Sequence, residues 1–372
     1  MFRHSIPAGR IFGISIGLDY SWFLIVGLLA WLLAAGYFPA EFPHWPHAEY
    51  WLVGTATALM LFGSVLVHEL AHSLVARRFG LPVPRITLFV FGGVSEIAAE
   101  PASAAVEFWV AVAGPLTSFA LAAIFWRLEQ PLASSPPLFA FVKYLAYINF
   151  ILGLFNLIPG FPLDGGRVFR AILWRITGNY QKATSIAATT GRFFGFLLIF
   201  LGVWQVLAGN FINGLWIAFI GWFLESAAGA QLQQEVVRGL LGEHRVTDAM
   251  KRDFVQVPRD TPLQEIIDRH ILSDGARYLL VAPNGGPGGL ITLRSVGRVP
   301  RSEWPTARAS EVMMPLQKLA TTRPDAVLWS ALQEMGRDGV NQLPVVDDGR
   351  VVGIVSREDV LHYLRVLQTF GR

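Results

Sequence analysis

Long apolar runs separated by short polar connections fill the first 230 residues of the chain. A helix crosses a bilayer core with about 20 consecutive apolar residues. Six runs approach or exceed that length: 20–38, 51–76, 108–126, 138–158, 193–208 and 211–228. The last two are short and closely spaced, which predicts either a tight helical hairpin or one interrupted element. The pattern therefore predicts an α-helical polytopic membrane domain over residues 1–230, with about six transmembrane helices.

The connection between the second and third runs has a different pattern. Residues 81–103 read "LPVPRITLFVFGGVSEIAAEPAS", with alternating positions, β-branched residues and the pair Gly92 and Gly93. These features predict a short membrane-associated β-hairpin instead of a helix. The edge of such a hairpin suits pairing with an extended peptide. Gly92 and Gly93 are therefore candidate substrate-binding residues.

The apolar pattern ends near residue 231. We expect a polar linker over 231–245, followed by two stretches of similar layout at 246–300 and 309–372. Each stretch predicts a short helix ending near a methionine, a strand, an amphipathic helix, two strands about a turn and a further helix. Such a repeat predicts two α/β copies that bury a shared face.

The composition supports this division and excludes several kinds of protein. Hydrophobic residues make up 53% of the chain and charged residues 15%, which is too apolar for an ordinary soluble protein. The net charge of +3 is small and no Lys/Arg-rich block stands out, so no nucleic-acid partner is expected. Cysteine is absent, which excludes disulfides, thiolate metal ligands and a cysteine nucleophile.

Positive charges flank the apolar runs unevenly. With the N-terminus inside, the segments on the cytoplasmic side hold Arg3, Arg10, Arg77, Arg78, Arg85, Arg167, Arg170, Arg175, Lys182 and Arg192. The connections on the opposite side hold Arg127 as their only Lys or Arg. Cytoplasmic loops of membrane proteins carry the excess of Lys and Arg. We therefore expect a multi-pass protein of the cell membrane with both termini in the cytoplasm.

The second run contains polar residues where water is scarce. Its stretch "VLVHELAHSLVARR" sets His68 and His72 four residues apart, with Glu69 beside the first. On a helix the two imidazoles share one face and can bind one metal ion, and the carboxylate can accept a proton. The alternative is a pair of hydrogen-bonded core histidines. A membrane span disfavours that alternative, because an uncompensated ionisable group there costs about 2.5–3.5 kcal/mol.

Two histidines leave a catalytic zinc site one protein ligand short. The remaining histidines flank the first run or lie in the soluble half, so a carboxylate at membrane depth is needed. The stretch "FNLIPGFPLDGGRVFR" supplies Asp164 at the cytoplasmic end of the fourth run. Alone, Asp-Gly indicates an ordinary turn. Next to an incomplete metal site at similar depth, Asp164 is the expected third ligand.

These motifs together resemble those of the site-2 proteases, the intramembrane zinc metalloproteases. The matching segments are "HELAH", "FGGVSE", "AVAGPLTS" and "NLIPGFPLDGG", and the resemblance covers roughly residues 1–230. It implies one zinc ion per chain, bound by His68, His72 and Asp164. It also implies that Glu69 is the general base.

The same resemblance implies further roles and partners. Asn156 would help to stabilise the oxyanion, and the Ala113-Gly114-Pro115 turn of the third run would be a landmark of the fold that binds nothing. The substrates would be membrane-anchored proteins cleaved in or near a transmembrane segment, such as single-span anti-sigma or pro-sigma proteins. The reaction would take place within the lipid bilayer, as regulated intramembrane proteolysis.

The repeated half resembles a pair of CBS domains, a module carried by one branch of the site-2 proteases. The CBS segment G-h-h-S/T-x-x-D matches "GIVSREDV" at Ser356 and Asp359, and "GLITLRSV" at Thr292, with Ser295 where the acid is expected. The resemblance implies ATP or another adenine nucleotide bound at Thr292, Ser356 and Asp359. In the competing interpretation Ser356 only caps a helix. The pair would then regulate the protein or form a homo-oligomer without a ligand.

The main prediction is a membrane-embedded metalloendopeptidase with a regulatory cytoplasmic α/β CBS pair. A CBS-gated ion channel or transporter is the alternative, since ionisable groups inside membranes also mark ion paths. Glu69 favours the protease, because a transport path has no need of a carboxylate between two metal-binding histidines. A catalytically inactive relative is a third alternative, which the complete set of ligands disfavours.

Overall fold

In a computed structural model of the chain, residues 5–97, 99–281 and 288–370 are described. The chain divides into two compact units, Met1–Glu235 and Val236–Arg372. Among the described residues, six helices are long and apolar enough to cross a membrane. The predicted fold class, a helical membrane domain followed by an α/β pair, is confirmed.

Most of the long helices extend beyond the apolar runs. Their bounds are α1 Tyr20–Leu32, continued by the π-helical turn Leu33–Tyr37 and by α2 Phe38–Glu41; α3 His47–Arg78; α4 Ala104–Glu129; α5 Pro136–Asn156; α6 Asp164–Thr177; α7 Tyr180–Leu207; and α8 Phe211–Gly242. The last two predicted runs are separate helices, α7 and α8. Polar residues near Lys182 lower the local hydropathy, so the apolar pattern does not show where α7 begins. Helix α8 continues through most of the predicted linker.

A four-stranded sheet packs against α3. Its strands, in spatial order, are β1 Ile6–Ile11, β2 Ile14–Leu18, β3 Arg85–Phe89 and β4 Gly92–Glu96. The predicted hairpin is confirmed as the antiparallel pair β3–β4, whose turn is 90–91 and whose second strand begins at Gly92 and Gly93. The N-terminal hairpin β1–β2 has no counterpart among the predicted elements. It joins the sheet through a parallel pairing of β2 with β3.

Buried side chains explain the position of the sheet. Ile14 and Ile86 are fully buried, and they pack with Leu70 and Ala76 of α3 in one cluster. Burial of this apolar surface favours the sheet lying along the helix that carries the histidines. Strand β4 is an edge strand of this sheet.

Two local features differ from the sequence expectations. Residues 113–115 are not a turn, because α4 continues through Pro115. Neighbouring groups in a membrane helix can satisfy the carbonyl that such a proline leaves free. Asp164 does not lie in a simple exit turn either: it is the first residue of α6, which has no counterpart among the predicted elements.

The second unit contains one layout twice. The first copy has α9 Val246–Ala249, β5 Gln256–Val257, α10 Leu263–Glu265 with the π-helix Ile266–Ser273, β6 Tyr278–Val281, β7 Gly289–Thr292 and α11 Leu293–Val296. The second copy has α12 Ala309–Val312, β8 Met314–Pro315, α13 Leu328–Asp338, β9 Gln342–Asp347, β10 Arg350–Ser356 and α14 Arg357–Phe370. Most of the predicted turn between two strands of the first copy, β6 and β7, lies outside the described residues.

The opening segment of each copy pairs with a strand of the other copy. Strand β8 of the second copy pairs with β7 of the first, and Lys251 of the first copy bridges to Ile354 in β10 of the second. The paired segments approach closely, because a Cβ on Gly353 would lie 2.8 Å from the sulfur of Met250. Reciprocal contacts of this kind bury the shared face that the repeat predicts.

The loop between α5 and α6 packs directly on α7. The Phe161 N–H donates to the Ala187 carbonyl at 3.3 Å. A Cβ on Gly191 would lie 2.1 Å from the Phe161 carbonyl oxygen, so the two backbones meet where α7 has no side chain. Small residues allow such close packing inside membranes. The contact fixes the segment that leads into Asp164.

We expect Gly191→Ala to destabilise the first unit by about 1–3 kcal/mol or more, because the added methyl group overlaps backbone that cannot rotate away. The measurement is the melting temperature of the purified protein in detergent. Gly27→Ala is the matched control, since no atom lies within 4 Å of a Cβ at that position in α1. Equal melting temperatures for the two variants would contradict the proposed packing.

Candidate metal centre

Helix α3 carries three of the predicted site residues. His68 and His72 lie one turn apart on one face, as their i and i+4 spacing requires, and both are buried. Their Nε2 atoms are 3.2 Å apart. Glu69 follows His68 and lines a cavity of about 250 Å³ that the two histidines also line.

Helix α4, the third of the six candidate spans, orients the two imidazoles. The Nδ1 atom of His72 lies 2.6 Å from the Val110 carbonyl oxygen. A carbonyl only accepts hydrogen bonds, so Nδ1 carries the hydrogen and Nε2 presents a lone pair. The Nδ1 atom of His68 lies 2.8 Å from the hydroxyl of Ser118. Metal-binding histidines commonly have such partners on the nitrogen that does not bind the metal.

Asp164 completes the group. Its Oδ2 atom lies 3.0 Å from the Nε2 atom of His68 and 3.0 Å from that of His72. Ligands at about 2.0–2.1 Å in a tetrahedral zinc site are separated by roughly 3.3 Å. The donor set of two imidazoles and a carboxylate is also one that catalytic zinc uses. The three residues therefore fit a zinc ion.

Helix α4 leaves room for this group because it has a glycine there. A Cβ on Gly114 would lie 2.1 Å from the Nε2 atom of His72 and 2.5 Å from that of His68. Any larger residue would fill the space where the ligand atoms converge. The landmark segment 113–115 thus has a steric role inside the helix, although it is not the turn that the sequence predicts.

The start of α6 is held in place by neighbouring backbone and by a buried ion pair. A Cβ on Gly165 would lie 2.3 Å from the Leu157 carbonyl carbon, so the first turn of α6 packs tightly on the preceding loop. Further along α6, Arg170 donates to the fully buried Glu107 of α4, with a distance of 2.7 Å from Nε. Its guanidinium also lies over the rings of Phe161 and Tyr180. These contacts fix α6 to α4.

The remaining predicted residues of this half surround the same cavity. Asn156 is the last residue of α5 and lines the cavity, while its amide donates to the Leu152 carbonyl at 3.0 Å. Gly92 and Gly93 also line the cavity. A Cβ on Gly93 would lie 2.5 Å from Cγ of Glu69, so β4 rests directly on the carboxylate side chain.

Sequence reasoning missed three groups that support the site. They are the Val110 carbonyl, the Ser118 hydroxyl and the Ser95 hydroxyl, which donates to Oε2 of Glu69 at 2.7 Å. Ser118 and Ser95 lie within "AVAGPLTS" and "FGGVSE", so the motifs do contain the signal. Their partners become evident only once the helices and the sheet are packed.

Two of the three candidate nucleotide residues of the second unit are hydrogen-bonded to each other. The Ser356 hydroxyl accepts from the Asp359 N–H at 3.2 Å and also donates to the Asp359 carboxylate. That carboxylate pairs with Lys251 at 3.1 Å. Burial, and secondarily the negative charge of Asp359, raises the pKa of Tyr278 nearby. Thr292 caps α11 through Ser295 at 3.3 Å, so both hydroxyls act as helix caps.

The profile of Peptidase family M50 matches residues 56–133 and 127–198, and that of the CBS domain matches 309–366. Rip3 of Mycobacterium tuberculosis is 38% identical over 98% of this chain and 94% of its own. The protein sll0528 of Synechocystis sp. is 33% identical over 98% and 96%. Both are named "Putative zinc metalloprotease". A solved structure of a site-2 protease from Methanocaldococcus jannaschii is 29% identical, covers 62% of this chain and 95% of its own, and has a TM-score of 0.44.

We expect Gly114→Ala to lower the metal content of the purified protein, because the added methyl group occupies the space between the two Nε2 atoms. Alanine favours a helix more than glycine does, so the loss would come from the site itself. The measurement is elemental analysis after dialysis. Gly63→Ala in α3 is the control, since the nearest atom to a Cβ there is 3.6 Å away. Equal metal contents in the two variants would contradict this role of Gly114.

Proposed function

Because this chain belongs to peptidase family M50, the intramembrane zinc metalloproteases known as site-2 proteases, we propose that His68, His72 and Asp164 bind its zinc ion. The observation that carries this assignment is the convergence of their ligand atoms at 3.0–3.2 Å from one another. The relatives are named as metalloproteases, which favours peptide-bond hydrolysis over the channel or transporter that the sequence left as an alternative.

The chain's own residues support a hydrolytic mechanism. Zinc, when bound, lowers the pKa of a water molecule and polarises a carbonyl group. Glu69 lines the same cavity as the ligands, and as general base it accepts the proton of the attacking water and passes it to the leaving amine. Asn156 reaches the cavity with an amide N–H that can donate to the carbonyl oxygen as negative charge develops there.

The edge of β4 offers a place for the substrate backbone. A transmembrane helix satisfies its own backbone hydrogen bonds, so a substrate must unwind before a peptide bond is open to attack. An extended segment can pair with an exposed strand edge, and Gly92 and Gly93 lie on that edge strand beside Glu69. The substrates are membrane-anchored proteins, and we propose single-span anti-sigma or pro-sigma proteins among them.

The proposed orientation follows from the charge asymmetry. Excess Lys and Arg on one set of connections favours both termini in the cytoplasm of a multi-pass cell-membrane protein. Arg77 and Arg78 end α3, one to two turns after His72, so the site lies toward the cytoplasmic end of that span. The second unit then lies in the cytoplasm, where it can meet nucleotides.

We expect Glu69→Gln to reduce cleavage by about 10²–10⁴-fold, because the amide cannot accept the proton of the attacking water. The assay uses purified protein in vesicles with single-span anti-sigma and pro-sigma proteins, and in parallel a fluorogenic unstructured peptide that needs no unwinding. Zinc content should not change, since the three ligands remain.

Glu49→Gln is the matched control. Glu49 lies in the first turn of the same helix, roughly 30 Å from Glu69 along its axis. The control should cleave as the wild type does. Undiminished cleavage by Glu69→Gln, or no cleavage of any probe by the zinc-loaded wild type, would contradict the proposed function.

We also propose that the CBS pair modulates the protease by binding ATP or a related adenine nucleotide at Ser356, Asp359 and Thr292. Lys251, Asp359 and Tyr278 form a polar cluster in the second unit. A carboxylate can accept from ribose hydroxyls, and the ammonium group of Lys251 can bind phosphate. The same unit is proposed as the surface for homo-oligomer formation.

We expect Asp359→Ala to weaken ATP binding roughly tenfold or more, the cost of losing hydrogen bonds to a charged group. The measurement is titration calorimetry of ATP into the full-length protein in detergent. Asp338→Ala is the control, because the carboxylate of Asp338 is paired only with Arg337 among the described residues. Absence of ATP binding by the wild type would leave the hydroxyls as helix caps and contradict the nucleotide proposal.

A further inference from the structure

Strand β4 contacts the general base through two residues of one face. Gly93 and Ser95 alternate along the strand and both face α3, where Gly93 packs on Cγ of Glu69. The Ser95 hydroxyl donates to Oε2 of Glu69 at 2.7 Å. The side chain of Glu69 is thus held at its middle by the strand backbone and at its end by one hydrogen bond.

A second serine bonds to the same hydroxyl. Ser73, one turn after Glu69 on α3, is fully buried, and its hydroxyl donates to Oγ of Ser95 at 3.1 Å. Ser95 has one hydroxyl hydrogen to give, and an ionised carboxylate can only accept. The Ser95 hydroxyl also lies 3.3 Å from the Glu69 carbonyl oxygen, but the carboxylate is closer.

The two oxygens of the Glu69 carboxylate therefore differ. Oε2 is held by Ser95, whereas no residue in the described part of the chain donates to Oε1. Glutamate has three rotatable side-chain bonds, so an unrestrained carboxylate would sample positions in which neither oxygen meets the attacking water. The hydrogen bond from Ser95 restricts that motion.

We propose that Ser95 is a positioning residue of the protease, which holds Oε2 of Glu69 so that Oε1 is the oxygen that accepts the proton. This inference rests on the proposed function of Glu69. It assigns to β4 a second role beside peptide pairing, since the edge for the substrate and the hydroxyl for the base lie on one strand. Displacing β4 by one residue would turn Ser95 to the other face of the sheet. The alignment of substrate and base therefore depends on one register.

The test compares Ser95→Ala and Ser95→Thr with the wild type on the fluorogenic unstructured peptide. A hydrogen bond to a charged group corresponds to roughly a ten- to hundredfold effect. We expect Ser95→Ala to lower kcat by that factor with KM and zinc content unchanged. Ser95→Thr should recover most of kcat, because threonine keeps the hydroxyl and suits a strand.

Ser15→Ala is the matched control. Ser15 lies in β2 of the same sheet, and its hydroxyl makes no hydrogen bond with the described residues. The control should match the wild type. Wild-type kcat in Ser95→Ala would overturn the proposal, as would a defect confined to KM, a loss of zinc, or a Thr variant as impaired as the Ala variant. These outcomes are distinct from failure of the proposed function, in which Glu69→Gln itself would retain activity.

Discussion

Two imidazole nitrogens and one carboxylate oxygen meet within 3.0–3.2 Å of one another in a bundle of apolar helices. When all three atoms present a lone pair, as metal binding requires, they repel one another, and little water is available there to solvate them. A zinc ion at the proposed site would remove this repulsion and let the polar groups remain in the membrane. Much of the first unit can be understood as the packing that keeps His68, His72 and Asp164 at this distance.

That packing depends on positions where side chains are absent. Helix α4 passes next to the site because Gly114 leaves space for both imidazoles, and the loop before Asp164 docks on α7 at Gly191. The same α4 then supplies the hydrogen-bond partners of the imidazoles and, through Glu107, the anchor for α6. One helix thereby orients the two imidazoles and fixes the element that carries Asp164.

The sheet lies beside the site and carries the edge proposed for the substrate. Strand β4 is an edge strand, lines the catalytic cavity and contacts Glu69 through Gly93 and Ser95. A membrane protease must hold an unwound peptide and a base in a fixed relation, because misplacement by about 1 Å can cost a hundredfold in rate. In the proposed arrangement one short strand pairs with the peptide and contacts the base on α3, which reduces the number of elements that have to be aligned.

The sequence by itself determined the features that depend on neighbouring residues. The apolar runs predict the six spans, the spacing of His68, Glu69 and His72 predicts one helical face, and the repeat predicts two α/β copies. The sequence also predicts Asp164 as a site residue, because a two-histidine site lacks a ligand and the charge pattern places Asp164 at the same depth in the membrane. The tertiary structure alone decided the parallel pairing of β2 with β3, the helix that begins at Asp164, and the contacts of Gly114 and Ser95. The contacts that build these features join residues 22 to 96 positions apart. Periodicity reports which face of an element is apolar, whereas the partner of that face depends on how the elements pack.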